Sequence, residues 1–258
     1  ALLSAAKFDQ NYNSQYSYIA KVGYPMGMMY GFIYEGTYKY EDFDKVGDTY
    51  TLKRNVPYFS SESNTQPGMP KYADLNGDGI IDDNDRTMIG NGMPKHTGGF
   101  TNNFEYKGFD LSIFFQWSYG NDVLNANRLF FENSNKTRDL NQYASYADRW
   151  TPENPESNIP RATDSGSNKV FSTRIIEDGS FLRLKTVSLG YTLPKQLTKK
   201  WKIDNARVFV AGQNLWTCTG YSGYDPEVSI REGALTPGLD FSAYPRAYSI
   251  SFGINLGF

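Results

Sequence analysis

The stretch that most constrains this chain is its last, from Tyr244 to Phe258. Tyr248, Ile250, Phe252, Ile254, Leu256 and Phe258 share one parity, and Ser249, Ser251, Gly253, Asn255 and Gly257 share the other. A period of two is a β-strand with one apolar face. In a soluble sheet the opposite face usually carries charge, whereas here it is small and uncharged. That suits a stave whose apolar side meets lipid and whose polar side meets a watery or plugged lumen. A terminal strand ending in Phe is typical of outer-membrane barrels. The last strand of a soluble sandwich fits the same residues.

With 258 residues the chain can form one all-β unit or two smaller domains. Its 26 basic and 28 acidic residues leave a net charge of -2, which gives no electrostatic case for nucleic acid or an anionic membrane surface. Aromatic residues make up 16% of the chain, yet the mean hydropathy is -0.57. Many aromatics in a polar background suit alternating strands with aromatic girdles, and equally an aromatic-rich carbohydrate-binding sandwich. The single cysteine, Cys218, makes no internal disulfide. No run approaches the ~18 apolar residues of a spanning helix, so residence in a membrane requires a barrel. Ala1-Leu2-Leu3-Ser4 lacks the basic region and apolar core of a secretory leader and reads as an internal start.

Alternation predicts strands over Phe8–Val22, Met28–Tyr40, Gly99–Tyr106, Phe109–Trp117, Ser180–Leu193, Ala206–Thr217 and the terminal stretch. Arg183 and Lys185 share the parity of Val187, Leu189 and Tyr191, so the upper half of that strand is expected to project beyond a membrane. In Ala206–Thr217 the parity is ambiguous, because Val208 and Val210 compete with Phe209, Ala211 and Leu215. A helix is expected near Asn141–Arg149 and one helical turn over Gln196–Lys200. Short connections (Gly23 to Gly27, Lys107-Gly108, Pro194 to Asn205) alternate with long polar ones (Glu41 to Gly98, Tyr119 to Gly179, Thr217 to Tyr244). Outer-membrane barrels pair short periplasmic turns with longer extracellular loops. A soluble sandwich has no reason to do so, which favours the barrel. Counting back from Phe258 puts every long loop outside.

The first long loop contains Asp74-Leu75-Asn76-Gly77-Asp78-Gly79-Ile80-Ile81-Asp82-Asp83-Asn84-Asp85. With Asp74 as the first position, Asp74, Asn76 and Asp78 converge, Gly79 permits the sharp turn and Ile80 offers its carbonyl. Asp82 acts through water, and Asp85 stands where an EF-hand has Glu. The pattern points to a calcium loop that organises rather than catalyses; a solvated acidic turn fits it too. Other candidates carry less. His96 is the lone histidine, which excludes a triad or histidine cluster. Asp225 and Glu227 flank Pro226 as turn formers or an acid/base pair. Asn135-Lys136-Thr137 fits a sequon, and Tyr119, Trp150, Tyr221 and Tyr224 could stack on sugars or a partner. No phosphate-binding glycine loop is present.

Several blocks resemble the SusC/RagA-type TonB-dependent outer-membrane transporters. They are Lys71 to Gly79, Ile89-Gly90, Gly98-Gly99-Phe100, Tyr106 to Ser112, Glu177 to Lys185, Gly190 to Pro194, Gln213-Asn214-Leu215 and Gly223 to Val228. The resemblance spreads over the whole chain. It implies an all-β fold in which residues 1–258 form the C-terminal part of an antiparallel transmembrane β-barrel of about 22 strands. Residues 41–98 would be a long extracellular loop carrying the calcium loop 74–85. It further implies a non-enzymatic importer of oligosaccharides or peptides in the bacterial outer membrane. Its partners would be a SusD-like surface lipoprotein over the mouth, membrane lipid, and TonB through a region this chain lacks. The rival readings are a soluble, secreted, calcium-dependent glycan-binding β-sandwich and, on scattered carboxylates alone, a glycan hydrolase.

Overall fold

The computed structural model describes residues 2–7, 16–133, 141–163, 170–230 and 233–258. The chain divides into two compact units, one of residues 1–93, 122–177 and 228–243, the other of residues 94–121, 178–227 and 244–258.

The second unit is a five-stranded antiparallel meander. Its wall strands are His96–Tyr106, Phe109–Tyr119, Phe181–Thr192, Asn205–Thr219 and Ser249–Gly257, called the first to fifth below. They are 11, 11, 12, 15 and 9 residues long. A tilted membrane strand needs about 9–11. Cross-strand register builds one continuous apolar face. Phe100, Phe104 and Tyr106 oppose Phe115, Leu111 and Phe109. Leu111, Ile113 and Phe109 oppose Leu189, Val187 and Tyr191, which in turn oppose Val210, Gly212 and Val208. Phe252 and Ile254 complete the row beside Val210 and Val208. Among the described residues this face stays uncovered, with Phe252 81% exposed and Ile254 68%. In water such a surface is far too extensive for a monomer. In lipid it is the solvent-facing side.

The first and second strands join through Lys107-Gly108, and the third and fourth through residues 193–204, both at one end of the sheet. The long connections, residues 120–180 and 220–248, leave from the other end. The expected segregation of turns therefore holds for these five strands. Gly23–Gly27 belongs to a different sheet. That turn joins Tyr16–Lys21 to Met28–Gly31 inside the first unit, where Gly27 lies against Pro237 and accepts the Gly92 N–H. Local punctuation shows that a turn exists, not which sheet it belongs to.

The first unit is a folded body, although its sequence reads largely as polar connection. A four-stranded sheet runs in the order Leu2–Lys7, Tyr16–Lys21, Met28–Gly31, Thr87–Asn91. The expected strand Phe8–Val22 is seen as Tyr16–Lys21, with residues 8–15 outside the described residues. The expected Met28–Tyr40 breaks after Gly31 and resumes at Tyr34–Thr37, which pairs with Pro70–Tyr72. Within 41–98 further pairs form between Phe43–Val46 and Thr49–Leu52, and between Tyr58–Phe59 and Ile80–Ile81. Three apolar clusters hold these pieces. One gathers Tyr18, Met29, Leu124, Phe171, Ile175 and Leu239, a second Phe32, Tyr72 and Ile81, and a third Tyr38, Phe43 and Leu52. Much of the aromatic content is thus spent in cores. Burial accordingly pushes the phenols of Tyr34, Tyr38 and Tyr72 well above the usual tyrosine range. The helix expected near Asn141–Arg149 is a 3-10 segment, Ala144–Asp148. The expected turn in Gln196–Lys200 is present as a short helix, Lys195–Thr198, continued by a 3-10 turn, Lys199–Trp201.

Candidate functional site

Opposite the apolar face, the five-stranded sheet presents Ser112, Gln116, Thr186, Ser188, Gln213 and Ser251 with the charges of Asp110 and Arg207. The Arg207 guanidinium donates Nε to Asp110 Oδ1 at 2.9 Å and Nη2 to Oδ2, a forked pair. The partners stand on the fourth and second strands, so the pair reaches across the third. Gly190 lies beneath it, where a Cβ would collide with Arg207 Nη2 and Asp110 Oδ1. Phe209, also on this face, lies over Gly253 in the same way. This explains the ambiguous parity of the fourth strand: Val208 and Val210 face outward, while the inward Phe209 needs a glycine on the neighbouring strand.

The third strand changes face halfway. Register slips between Leu184 and Thr186 against both neighbours: Lys185 is the extra residue against the second strand, whereas on the other side it faces two residues of the fourth, Asn214, at φ 51, and Leu215. A bulge re-aims every later side chain. Above it Leu182 and Leu184 point with the outward set, and Arg183 turns to the inward face, opposite Gln116 and Thr217. Arg183 has thus left the parity of Val187 and Leu189 and is only 2% exposed. Its Nε donates to Thr217 Oγ1 at 3.0 Å, and its Nη1 to Glu227 Oε2 at 3.1 Å. Its Nη2 meets Asp225 Oδ1 at 2.5 Å. Glu227 Oε2 also receives Arg246 Nε at 3.1 Å, with Lys185 Nζ at 3.6 Å. Asp225 accepts the backbone N–H groups of Glu227 and Arg246. Burial alone would raise the Asp225 carboxyl. The N–H of Glu227, the Arg183 guanidinium and the N–H of Arg246 outweigh burial and hold it below the usual carboxylate range. The two acids are thus neither bare turn formers nor an acid/base pair. They clamp the start of the last long connection to its end. A charge on an otherwise apolar parity was the one sequence signal for this cluster.

The acidic loop 74–85 folds on itself. Asp74 accepts from the N–H groups of Gly77 and Gly79, and Asp78 from Ile80. The buried Asp85 accepts from Leu75, Asn76 and Asp82. Gly77 and Gly79 take the positive φ values, 78° and 85°, that the turn demands. Each carboxylate oxygen that accepts one N–H keeps a free lone pair, so the donor chemistry of Asp74, Asn76, Asp78, Ile80, Asp82 and Asp85 suits a hard cation. Among the described residues no three acidic, His or Cys side chains already converge as a ligand cage.

The remaining candidates separate cleanly. His96 Nδ1 accepts Trp117 Nε1–H at 3.1 Å and its ring stacks on Tyr119, an aromatic contact rather than a catalytic one. Trp150 and Tyr221 are buried, whereas Tyr119 and Tyr224 stay exposed. The sequon at Asn135 lies outside the described residues.

No family model matches the chain. It is 34% identical over 247 residues to TonB-dependent receptor P3 of Formosa agariphila, covering 93% of this chain and 23% of that protein. To TonB-dependent receptor SusC of Bacteroides thetaiotaomicron it is 28% identical over 198 residues, covering 76% of this chain and 18% of that protein. Among solved structures it superposes on the RagAB peptide transporter with a TM-score of 0.69 at 26% identity, covering 94% of this chain and 24% of that one. The chain therefore spans about a quarter or less of the relatives it matches. A sheet with a lipid-type outer face, a polar inner face and long connections at one end is what a membrane barrel wall requires, and the chain belongs to the SusC/RagA-type TonB-dependent transporters of the bacterial outer membrane, as a segment of their β-barrel.

Proposed function

We propose that the protein containing this chain imports oligosaccharides or peptides across the outer membrane, as the channel component of a SusC/SusD-like, TonB-dependent complex. The observation that carries this is the two-faced sheet, apolar and uncovered outside, polar and ion-paired inside, with both short turns at one end. In this reading the wall encloses the path. The long connections, the last of them clamped by the Arg183 cluster, build the mouth on which a surface lipoprotein sits. The energy comes from TonB through parts of the protein other than this chain. No residue is asked to do covalent chemistry. A soluble glycan-binding sandwich has no use for an outer face that nothing covers.

The test is uptake of labelled oligosaccharides and peptides by cells with and without the full-length transporter. Import of one substrate class, lost on deletion and on collapse of the proton gradient, supports the reading. Uptake indifferent to both overturns it. Calcium at loop 74–85 belongs to the same proposal as a structural ion. Metal analysis should give one calcium per wild-type transporter, removed by chelator and absent from Asp78→Ala. Equal metal content in both proteins would leave the loop a solvated turn.

A further inference from the structure

The net charge near zero conceals one concentrated patch. The link between the third and fourth wall strands carries Lys195, Lys199, Lys200 and Lys202, all exposed, against a single acid, Asp204. None of the four lysines forms an ion pair among the described residues. Two large apolar side chains stand among them, Leu197 at 46% and Trp201 at 63% exposure. They are spaced by four through a helical segment, which puts them on one side. Lys202 closes the segment at φ 58, where a helix end normally has Gly. A long cationic side chain is kept there in spite of the backbone conformation. The link sits at the short-turn end of the sheet, the end where Tyr106, Phe109 and Phe258 are also exposed beside the apolar face.

We infer that Lys195 to Lys202 is an interfacial anchor, with Leu197 and Trp201 seated at the acyl boundary and the lysines on the phosphates of anionic phospholipid headgroups in the adjoining leaflet. Charge complementarity and continuity with the lipid face select this occupant over an acidic protein. Trp is the residue that favours the membrane interface. Lysine stems lie along apolar surface while the ammonium reaches the polar layer, and each lysine near an anionic leaflet adds to the attraction. The inference rests on the barrel residence established above, not on what is imported.

The test reconstitutes the full-length transporter in phosphatidylcholine nanodiscs containing either brominated phosphatidylglycerol or brominated phosphatidylcholine. The Trp201 signal is the fluorescence difference between wild type and Trp201→Phe. Quenching by the brominated phosphatidylglycerol should exceed that by the brominated phosphatidylcholine about fivefold. The preference should disappear in Lys195→Gln/Lys199→Gln/Lys200→Gln/Lys202→Gln, with the variant still in the disc. Quenching of Trp201 by neither lipid, as an acidic protein partner over the patch would require, overturns the anchor and leaves the barrel intact. Equal quenching by both, unaltered in the lysine variant, removes the headgroup specificity and with it the proposal. A transporter that fails to enter the disc at all overturns the barrel reading as well.

Discussion

At the scale of residues, the Arg183 cluster shows how a buried charge is tolerated and what it makes fragile. Asp225 is 4% exposed and survives as an anion because a guanidinium and two N–H groups surround it. Arg183→Met strands that anion, and breaking one side of a buried pair costs roughly 3–5 kcal/mol. The expected result is a lower denaturation midpoint for the full transporter and faster proteolysis of residues 220–248. The double variant with Asp225→Asn should recover part of both. The Asp225 carboxyl is depressed in the folded state, so its contribution is complete above the ordinary carboxylate value of about 3.9 and is lost as pH falls through the lower folded value. The midpoint should hold steady from neutral pH to about 5 and fall below that, with a shallower acid limb in Asp225→Asn. A gentler test applies to Gly190. Gly190→Ala pushes a methyl into the Asp110–Arg207 fork, and the pair should open, seen as a lower midpoint than wild type and no further loss when Asp110→Asn is added.

At the scale of elements, the bulge at Lys185 decides which way the upper third strand faces. Deleting Lys185 removes the extra residue and sets Leu184 directly beside Thr186, so an unbroken period of two keeps Arg183 on the inward face with Gln116. The expected outcome is folded, heat-modifiable transporter in outer-membrane fractions at a level close to wild type; a severalfold loss would refute the face assignment. The fifth strand allows the same question with single substitutions. Phe252→Arg places a cation in the lipid band at roughly 2–4 kcal/mol if it lies near the midplane, while Ser251→Arg, one residue away, points to the polar face and should assemble normally. Equal assembly of the two variants would mean that the outer face does not meet lipid. These elements also show what was legible. Alternation located all five wall strands to within a few residues and named the outer face of the last one. It misjudged Arg183, because parity counted along a strand presumes unbroken register, and a bulge exists only in the pairing with neighbours.

At the scale of the whole molecule, the five-stranded sheet ends in two edge strands, His96–Tyr106 and Ser249–Gly257, each paired on one side only among the described residues. Open edges are not tolerated in a bilayer and invite association in water. Expressed alone, residues 1–258 should aggregate or require detergent, measured by size-exclusion chromatography; a monodisperse, detergent-free monomer would contradict the barrel assignment. The chain by itself determined the class of the wall. Strict alternation with a small, uncharged second face is local information, and so are Lys107-Gly108, the acidic loop 74–85 and the family blocks. Tertiary structure alone decided the rest. It folded 41–93 and its distant companions around three apolar cores, set Gly23–Gly27 in a sheet apart from the five wall strands, and brought Asp225 and Glu227 to Arg183. Each of these depends on partners far apart in the chain, and burial and charge pairing are properties of the assembled neighbours that no local period encodes. The terminal strand reads correctly from its residues because the lipid that covers its apolar face needs no partner from the chain at all.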